Sequence, residues 1–211
     1  QTTRHYPVLY MHDGQNLFDA AIGFAGQEWQ VDETMEQLAS EGIEAIVVGI
    51  CHMDQQRIPE YNPFPGKWQG LGRKYLDFVI NTVKPIIDRD FRTLVHHEAT
   101  GIMGSSMGGL ISLYGFFERP DVFGYTGAMS PAFWINSGQI YSYIQRSEYV
   151  PGKIYLDNGT REGSASRMNS LLVAKGYQPG QDLLYVVEKG AEHTESAWAR
   201  RLPDALRFLM G

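Results

Sequence analysis

A serine with glycine two residues before and two residues after it is a spacing with a chemical use, and Gly104-Ser105-Ser106-Met107-Gly108-Gly109 contains one centred on Ser106. A serine on a tight strand-to-helix turn takes backbone angles that crowd its neighbours, and glycines at those two positions relieve the crowding. Ser105 fails the frame, because Met103 stands two residues before it. Such a turn lifts the Ser106 hydroxyl above the sheet edge and aims the backbone N–H of Met107 at the place where an oxyanion would form. The motif alone also fits an ordinary tight turn, so the chemistry depends on partners. A serine hydroxyl is a weak nucleophile at neutral pH and needs a base to take its proton and an acid to orient that base.

Histidine is the natural base. His5, His52, His96 and His97 do not follow a late strand, whereas His193, in Gly190-Ala191-Glu192-His193, follows the last one just ahead of the final helical segment. That makes His193 the best-placed base, the plainer alternative being a histidine that caps a loop. For the acid, Asp157-Asn158-Gly159-Thr160-Arg161-Glu162 offers two carboxylates. Asp157 closes a strand and would also serve as a turn-holding aspartate, while Glu162 would also serve as a solvated surface charge; side-chain chemistry leaves the two even. Either gives the chain order serine, acid, histidine, which is that of the α/β-hydrolases and differs from the chymotrypsin and subtilisin orders. His96-His97-Glu98 suggests a metal site only weakly, since adjacent residues project in different directions.

These residues have to be carried by regular elements, and the chain alternates strand-length apolar runs with segments of helical period. Strands are expected at residues 8–11, 44–49, 100–103, 125–129, 153–156 and 183–187, and helices at 29–39, 75–88, 110–117, 138–146, 165–175 and 196–209. The helix at 75–88 is expected to bury Phe78, Val79, Val83, Ile86 and Ile87. The pattern is an α/β fold, a mainly parallel sheet covered by helices on both faces, in one domain over residues 1–211. In such a sheet ligands meet the loops beyond the carboxyl ends of the strands, which here are the loops after the first, third, fifth and sixth. A polar, proline-bearing excursion at 52–72 is too long for a simple connector, and its Arg57, Glu60 and Tyr61 are candidates for shaping the site.

Composition excludes other classes. With 18 basic against 24 acidic residues and a net charge of -6, no basic run tracks a phosphate backbone, so nucleic acid is not an expected partner. One cysteine, Cys51, leaves no intramolecular disulfide and no cysteine-only metal cluster. No apolar run approaches the roughly 20 residues that a membrane helix requires. The reading is a protein without membrane attachment, cytoplasmic by default, with secretion after removal of a signal left open.

Tyr10-Met11-His12-Asp13-Gly14-Gln15-Asn16-Leu17-Phe18-Asp19, the Ser106 turn, Ser130-Pro131-Ala132-Phe133-Trp134, Gly159-Thr160-Arg161-Glu162 and Gly190-Ala191-Glu192-His193 together resemble an esterase family of the α/β-hydrolase superfamily. That family includes esterase D, enterochelin-esterase-like proteins and family 1 carbohydrate esterases, and the likeness covers nearly the whole chain. It implies the α/β-hydrolase three-layer sandwich, Ser106 as nucleophile, His193 as base and Glu162 as acid, with Asp157 second. It implies the backbone N–H of Gln15 as an oxyanion donor beside that of Met107, and Trp134 as a wall of the substrate pocket. The implied function is a serine carboxylic-ester hydrolase that needs no metal or cofactor and acts on a small or carbohydrate-linked ester of acetyl or feruloyl type. Acyl transfer by the same triad and a non-catalytic binding protein of the same fold are the alternatives. Relatives begin with one or two further strands, for which residues 1–7 leave little room, so an exposed sheet edge is expected, met by a homodimer or by the N-terminal arm.

Overall fold

Short runs of Val, Ile, Leu and Met send alternate side chains to opposite faces of a sheet, and burying both faces requires helices on each side. The computed structural model describes residues 3–211. In it these runs become six strands, β1 Val8–His12, β2 Ile46–Ile50, β3 Thr100–Ser105, β4 Tyr125–Met129, β5 Lys153–Gly159 and β6 Leu183–Glu188. They lie in the order β2-β1-β3-β4-β5-β6, each neighbouring pair parallel. Between them run α1 Val31–Ser40, α2 Arg57–Tyr61, α3 Gly72–Phe78, α4 Lys84–Asp90, α5 Met107–Glu118, α6 Gln139–Arg146, α7 Ser166–Lys175 and, last, α8 Glu195–Met210.

Strand alternation sorts the interior into two cores. Val8, Tyr10, Ile102, Ile154 and Leu156 pack with residues of α3, α5, α6 and α7 on one face. Leu9, Met11, Met103, Met129 and Tyr155 pack with Val31 and Leu38 of α1 and Trp198, Leu202 and Leu206 of α8 on the other. Each such buried Leu, Ile or Phe contributes roughly 1.5–3 kcal/mol. α5 is buried from Met107 to Phe117, which explains why its sequence is apolar on all sides.

The connections create a crevice. From β1 the chain steps outward to β2 and then crosses to the opposite side of β1 for β3. The loops leaving the carboxyl ends of β1 and β3 therefore diverge, and a gap opens between them at this switch in direction.

Three expectations need correction. α3 and α4 are joined by a π-helical turn, Val79–Val83, and the buried side chains are Tyr75, Leu76, Val79 and Ile80, while Phe78 and Ile86 are 48% and 44% exposed. The wider π turn delays the rotation of the helix by about one residue, so that Ile87, in place of Ile86, turns back to the core. β5 runs to Gly159, three residues past its expected end, which moves Asp157 from the strand's edge into its interior. Among the described residues the N-terminal arm adds no strand beside β2: Tyr6 donates its N–H to the Arg92 carbonyl and accepts from the Leu94 N–H, bridging to Thr93 beyond α4. β2, with Ile46, Val47 and Val48 half-buried, carries no further strand on its outer side among the described residues. No helix of the described residues is long and apolar enough to cross a membrane.

Candidate active site

Ser106 sits between the end of β3 and the first residue of α5 with φ 56° and ψ -117°, a conformation that non-glycine residues rarely hold. The flanking glycines explain how it is tolerated. A Cβ on Gly104 would come within 3.0 Å of the Gly108 backbone and of the His12 Cβ, and one on Gly108 within 3.1 Å of the same His12 atom. Strand, turn and helix thus touch one another and the end of β1. The Ser106 N–H donates to the Met129 carbonyl, and the Ser106 carbonyl accepts from Leu110 and Ala132 N–H groups. Strain of about 1–3 kcal/mol at such a residue persists because its surroundings hold it in place. Met107 opens α5, so its N–H has no partner within the helix and lies at the positive end of the helix dipole.

The loop after β1 is pinned from the excursion. Asp13 is buried in a left-handed conformation with φ 56°. Its carboxylate accepts from Arg57 Nε at 2.7 Å and Nη2 at 2.9 Å, and its N–H donates to the Tyr61 hydroxyl at 3.1 Å. Gly14 follows at a point where a Cβ would lie 2.6 Å from the Gly49 carbonyl carbon, and a 3-10 turn then carries Gln15 and Asn16. Arg57 and Tyr61 therefore hold the segment that presents Gln15. Glu60 accepts the Met53 N–H at 3.1 Å. His12 lies beneath, its Nδ1 2.7 Å from the Tyr75 hydroxyl. Burial pushes its pKa down to about 4, against the pull of the nearby Asp13 carboxylate.

On the far side, His193 Nδ1 stands 2.6 Å from Glu162 Oε2. The other oxygen, Oε1, accepts from the Gly159 N–H at 2.5 Å and the Ser130 hydroxyl at 2.7 Å. Burial alone would raise the Glu162 pKa, but the hydrogen bonds from His193, Gly159 and Ser130 outweigh it and hold the carboxyl below its usual range. The Glu162 side chain is 4% exposed and that of His193 44%. The His193 ring stands edge-on against Trp198, with centroids 5.0 Å apart.

Asp157 has a different setting. Strand alternation puts it on the face of Tyr155, under α8. It lies 2.9 Å from Arg201 Nε and accepts the Ser130 N–H and the Tyr155 hydroxyl. Burial raises its pKa to about 6, against Arg201 and these hydrogen bonds. The carboxylate beside His193 is thus Glu162.

Ser106 and His193 line one cavity of about 480 Å³ in the crevice between the β1 and β3 loops. Gln15, Asp13, Arg57 and Glu195 supply polar wall, and Ile22 and Phe24, 66% and 69% exposed, an apolar one. Trp134 is not part of this wall and is not core either. It is 73% exposed and borders a separate depression with Lys67, Trp68 and Asn136. The turn that follows Ala132, whose N–H is tied to the Ser106 carbonyl, carries it outward. His96 and His97 both contact the Glu98 carboxylate, at 2.9 Å and 3.1 Å.

Several residues of the site gave little sign in the sequence. Ser130 opens the Ser130-Pro131-Ala132-Phe133-Trp134 segment after β4, from which Trp134 and not the serine was expected to contribute. Trp198 and Arg201 read as ordinary positions of the last helix, and Glu195 only as the end of the loop that carries His193. Ile22 and Phe24 lie in a loop with no period.

A parallel sheet whose third strand ends in a strained serine turn, with a histidine and a carboxylate on the loops of later strands, places the protein in the α/β-hydrolase class. The chain belongs to the esterase family described as "Putative esterase", which matches residues 1–209. It is 25% identical over 226 residues to the uncharacterized protein YbbA of Bacillus subtilis, covering 98% of this chain and 86% of that protein. Among solved structures it is similar to the enterobactin esterase FES from Shigella flexneri, with a TM-score of 0.76 and 20% identity. That match covers 95% of this chain and 52% of the other, so the chain spans about half the length of that enzyme. A ferulic acid esterase superposes with a TM-score of 0.73 at 19% identity, over 100% of this chain and 87% of that one.

Proposed function

We propose that the protein is a serine carboxylic-ester hydrolase that works through an acyl-enzyme. The observation that carries this reading is the 2.6 Å contact between Glu162 and His193 at a cavity whose lining includes Ser106. An ionised carboxylate only accepts, so the contact requires a proton on His193 Nδ1 and leaves the lone pair on Nε2. That atom takes the proton of Ser106 as its Oγ attacks the ester carbonyl, and Glu162 stabilises the resulting imidazolium. The N–H groups of Met107 and Gln15 hold the oxyanion. His193 then gives its proton to the leaving alcohol, and in the second step draws one from water to release the acid and restore Ser106. None of these steps uses a metal or cofactor.

The substrate is a small or carbohydrate-linked ester of acetyl or feruloyl type. Support comes from the cavity, whose lining combines the exposed Phe24 and Ile22 with the polar Arg57 and Glu195, and from structural neighbours that include a ferulic acid esterase and an enterobactin esterase. The test is Ser106→Ala assayed on short p-nitrophenyl esters, together with fluorophosphonate labelling of the wild type. Turnover and labelling should both vanish in the variant while circular dichroism stays unchanged; full activity in the variant rules the assignment out.

A further inference from the structure

A serine hydroxyl has one proton and two lone pairs, and it normally turns freely to suit its neighbours. Ser130 has no such freedom. Its Oγ lies 2.9 Å from Trp198 Nε1 and 2.9 Å from Arg201 Nη2, and both of these groups can only donate. The two incoming bonds occupy the lone pairs, so the hydroxyl proton has one place to go, Glu162 Oε1 at 2.7 Å. The Ser130 backbone is held as firmly: φ is 41°, and its N–H is bonded to Asp157 Oδ1 at 2.8 Å. Ser130, Trp198 and Arg201 are 4–5% exposed, so water does not compete for these positions.

We infer that Ser130, with its proton direction fixed by Trp198 and Arg201, is a positioning residue that orients Glu162 and, through Glu162, the proton-bearing edge of His193. The inference rests on the reading of Glu162 and His193 as acid and base. Two features tie the group to the site as well as to the packing of α8. Trp198 holds the hydroxyl with its N–H and carries the His193 ring against its face, so one side chain touches both the holder of the acid and the base. The bond from Ser130 falls on the oxygen of Glu162 that His193 does not use, which leaves Oε2 for the histidine alone. The other charged groups near Glu162 are Arg201 itself, at 3.8 Å, and Asp157, which Arg201 neutralises.

Trp198→Phe keeps an aromatic face for His193 and removes only the donor, which releases one lone pair of Ser130 and lets the hydroxyl turn away. Ser130→Ala removes the hydrogen bond to Glu162 outright. A hydrogen bond to a charged group is lost in the second variant, so kcat on a p-nitrophenyl ester should fall about 10- to 100-fold, and in the first about 3- to 10-fold, with KM within about twofold. Proton NMR of the unliganded enzyme should show the far-downfield signal of the His193 Nδ1 proton in the wild type, moved or broadened in both variants. Variants that melt earlier yet keep both kcat and this signal would show that the group only staples α8 to the sheet, and the inference would fall. Failure of the esterase reading looks different: fluorophosphonate would leave Ser106 of the wild type unlabelled, while the ring-proton signal, which needs no substrate, would still report on the network.

Discussion

Replacing Glu162 by glutamine alters hydrogen-bond direction at a place where every neighbour has a fixed role. In the wild type the side chain accepts three hydrogen bonds, two on Oε1 from Ser130 and Gly159 and one on Oε2 from His193. A glutamine can keep its oxygen toward Ser130 and Gly159, or turn over and keep it toward His193. Turning over sets its NH2 against two buried donors, and each unpaired buried group costs about 1–3 kcal/mol. The first orientation therefore wins, and the NH2 faces His193 Nδ1. That nitrogen must then accept, which moves the ring proton to Nε2, where the mechanism needs a lone pair. The same tautomer reversal in a Ser-His-Asp triad lowers kcat by roughly 10⁴, equivalent to about 5 kcal/mol of barrier. We expect Glu162→Gln to lose about 10³- to 10⁴-fold in kcat on a p-nitrophenyl ester, with KM nearly unchanged and the melting temperature close to wild type. Asp157→Asn is the matched control. It takes from buried Arg201 its nearest counter-charge and leaves it Glu188 at 3.3 Å and Glu162 at 3.8 Å, so it should lower stability by up to about 3 kcal/mol and affect the folded enzyme's rate far less. If folded Glu162→Gln keeps more than about a tenth of wild-type kcat, or if Asp157→Asn shows the larger loss of rate, the reasoning about which carboxylate serves His193 is wrong.

Three further outcomes follow from the same contacts. His12 is held neutral in the folded protein down to about pH 4, whereas the unfolded chain takes up the proton near 6.5. Its contribution is therefore complete above 6.5 and is lost as pH falls from 6.5 to 4, by roughly 3 kcal/mol; urea unfolding across that range should show a shallower acid limb in His12→Gln, and parallel limbs would refute it. Gly104→Ala puts a Cβ 3.0 Å from Gly108 and His12, so it should cost about 1–3 kcal/mol in urea unfolding and displace Ser106 enough to lower kcat; a variant with wild-type stability and rate would contradict the account of the turn. Arg57→Ala leaves the buried Asp13 carboxylate without its bidentate partner, which should destabilise by about 3 kcal/mol and loosen Gln15, read as a lower melting temperature together with a lower kcat; a rate unaffected in the folded variant would dissociate Arg57 from the site.

Much of this protein was legible from neighbouring residues alone. The frame around Ser106 follows in part from local sterics, since a Cβ on Gly104 would lie 3.0 Å from the Gly108 backbone, while the crowding at Gly108 comes from His12 at the end of β1. The strand and helix sequence follows from periods of two and 3.6, which are local properties of the backbone. Tertiary structure decided what depends on where loops travel. Asp157 rivalled Glu162 only because β5 was expected to end beside it; once the strand continues to Gly159, alternation commits Asp157 to the α8 face, and Glu162 is left to reach His193. Trp134 was expected to wall the substrate pocket, yet after Ala132 the chain carries it to a separate depression. Ile86 lost its expected place in the core while Ile87 kept its own, because one π turn shifted the helical phase. No local pattern tied Ser130, Trp198 and Arg201 to one another, since they come from a turn and a helix 68 and 71 residues apart in the chain. Sequence fixes which backbone forms and where strain is tolerated, because those energies are short-ranged; the choice between two carboxylates rests on contacts between distant segments, which exist only when the sheet and α8 have closed on one another.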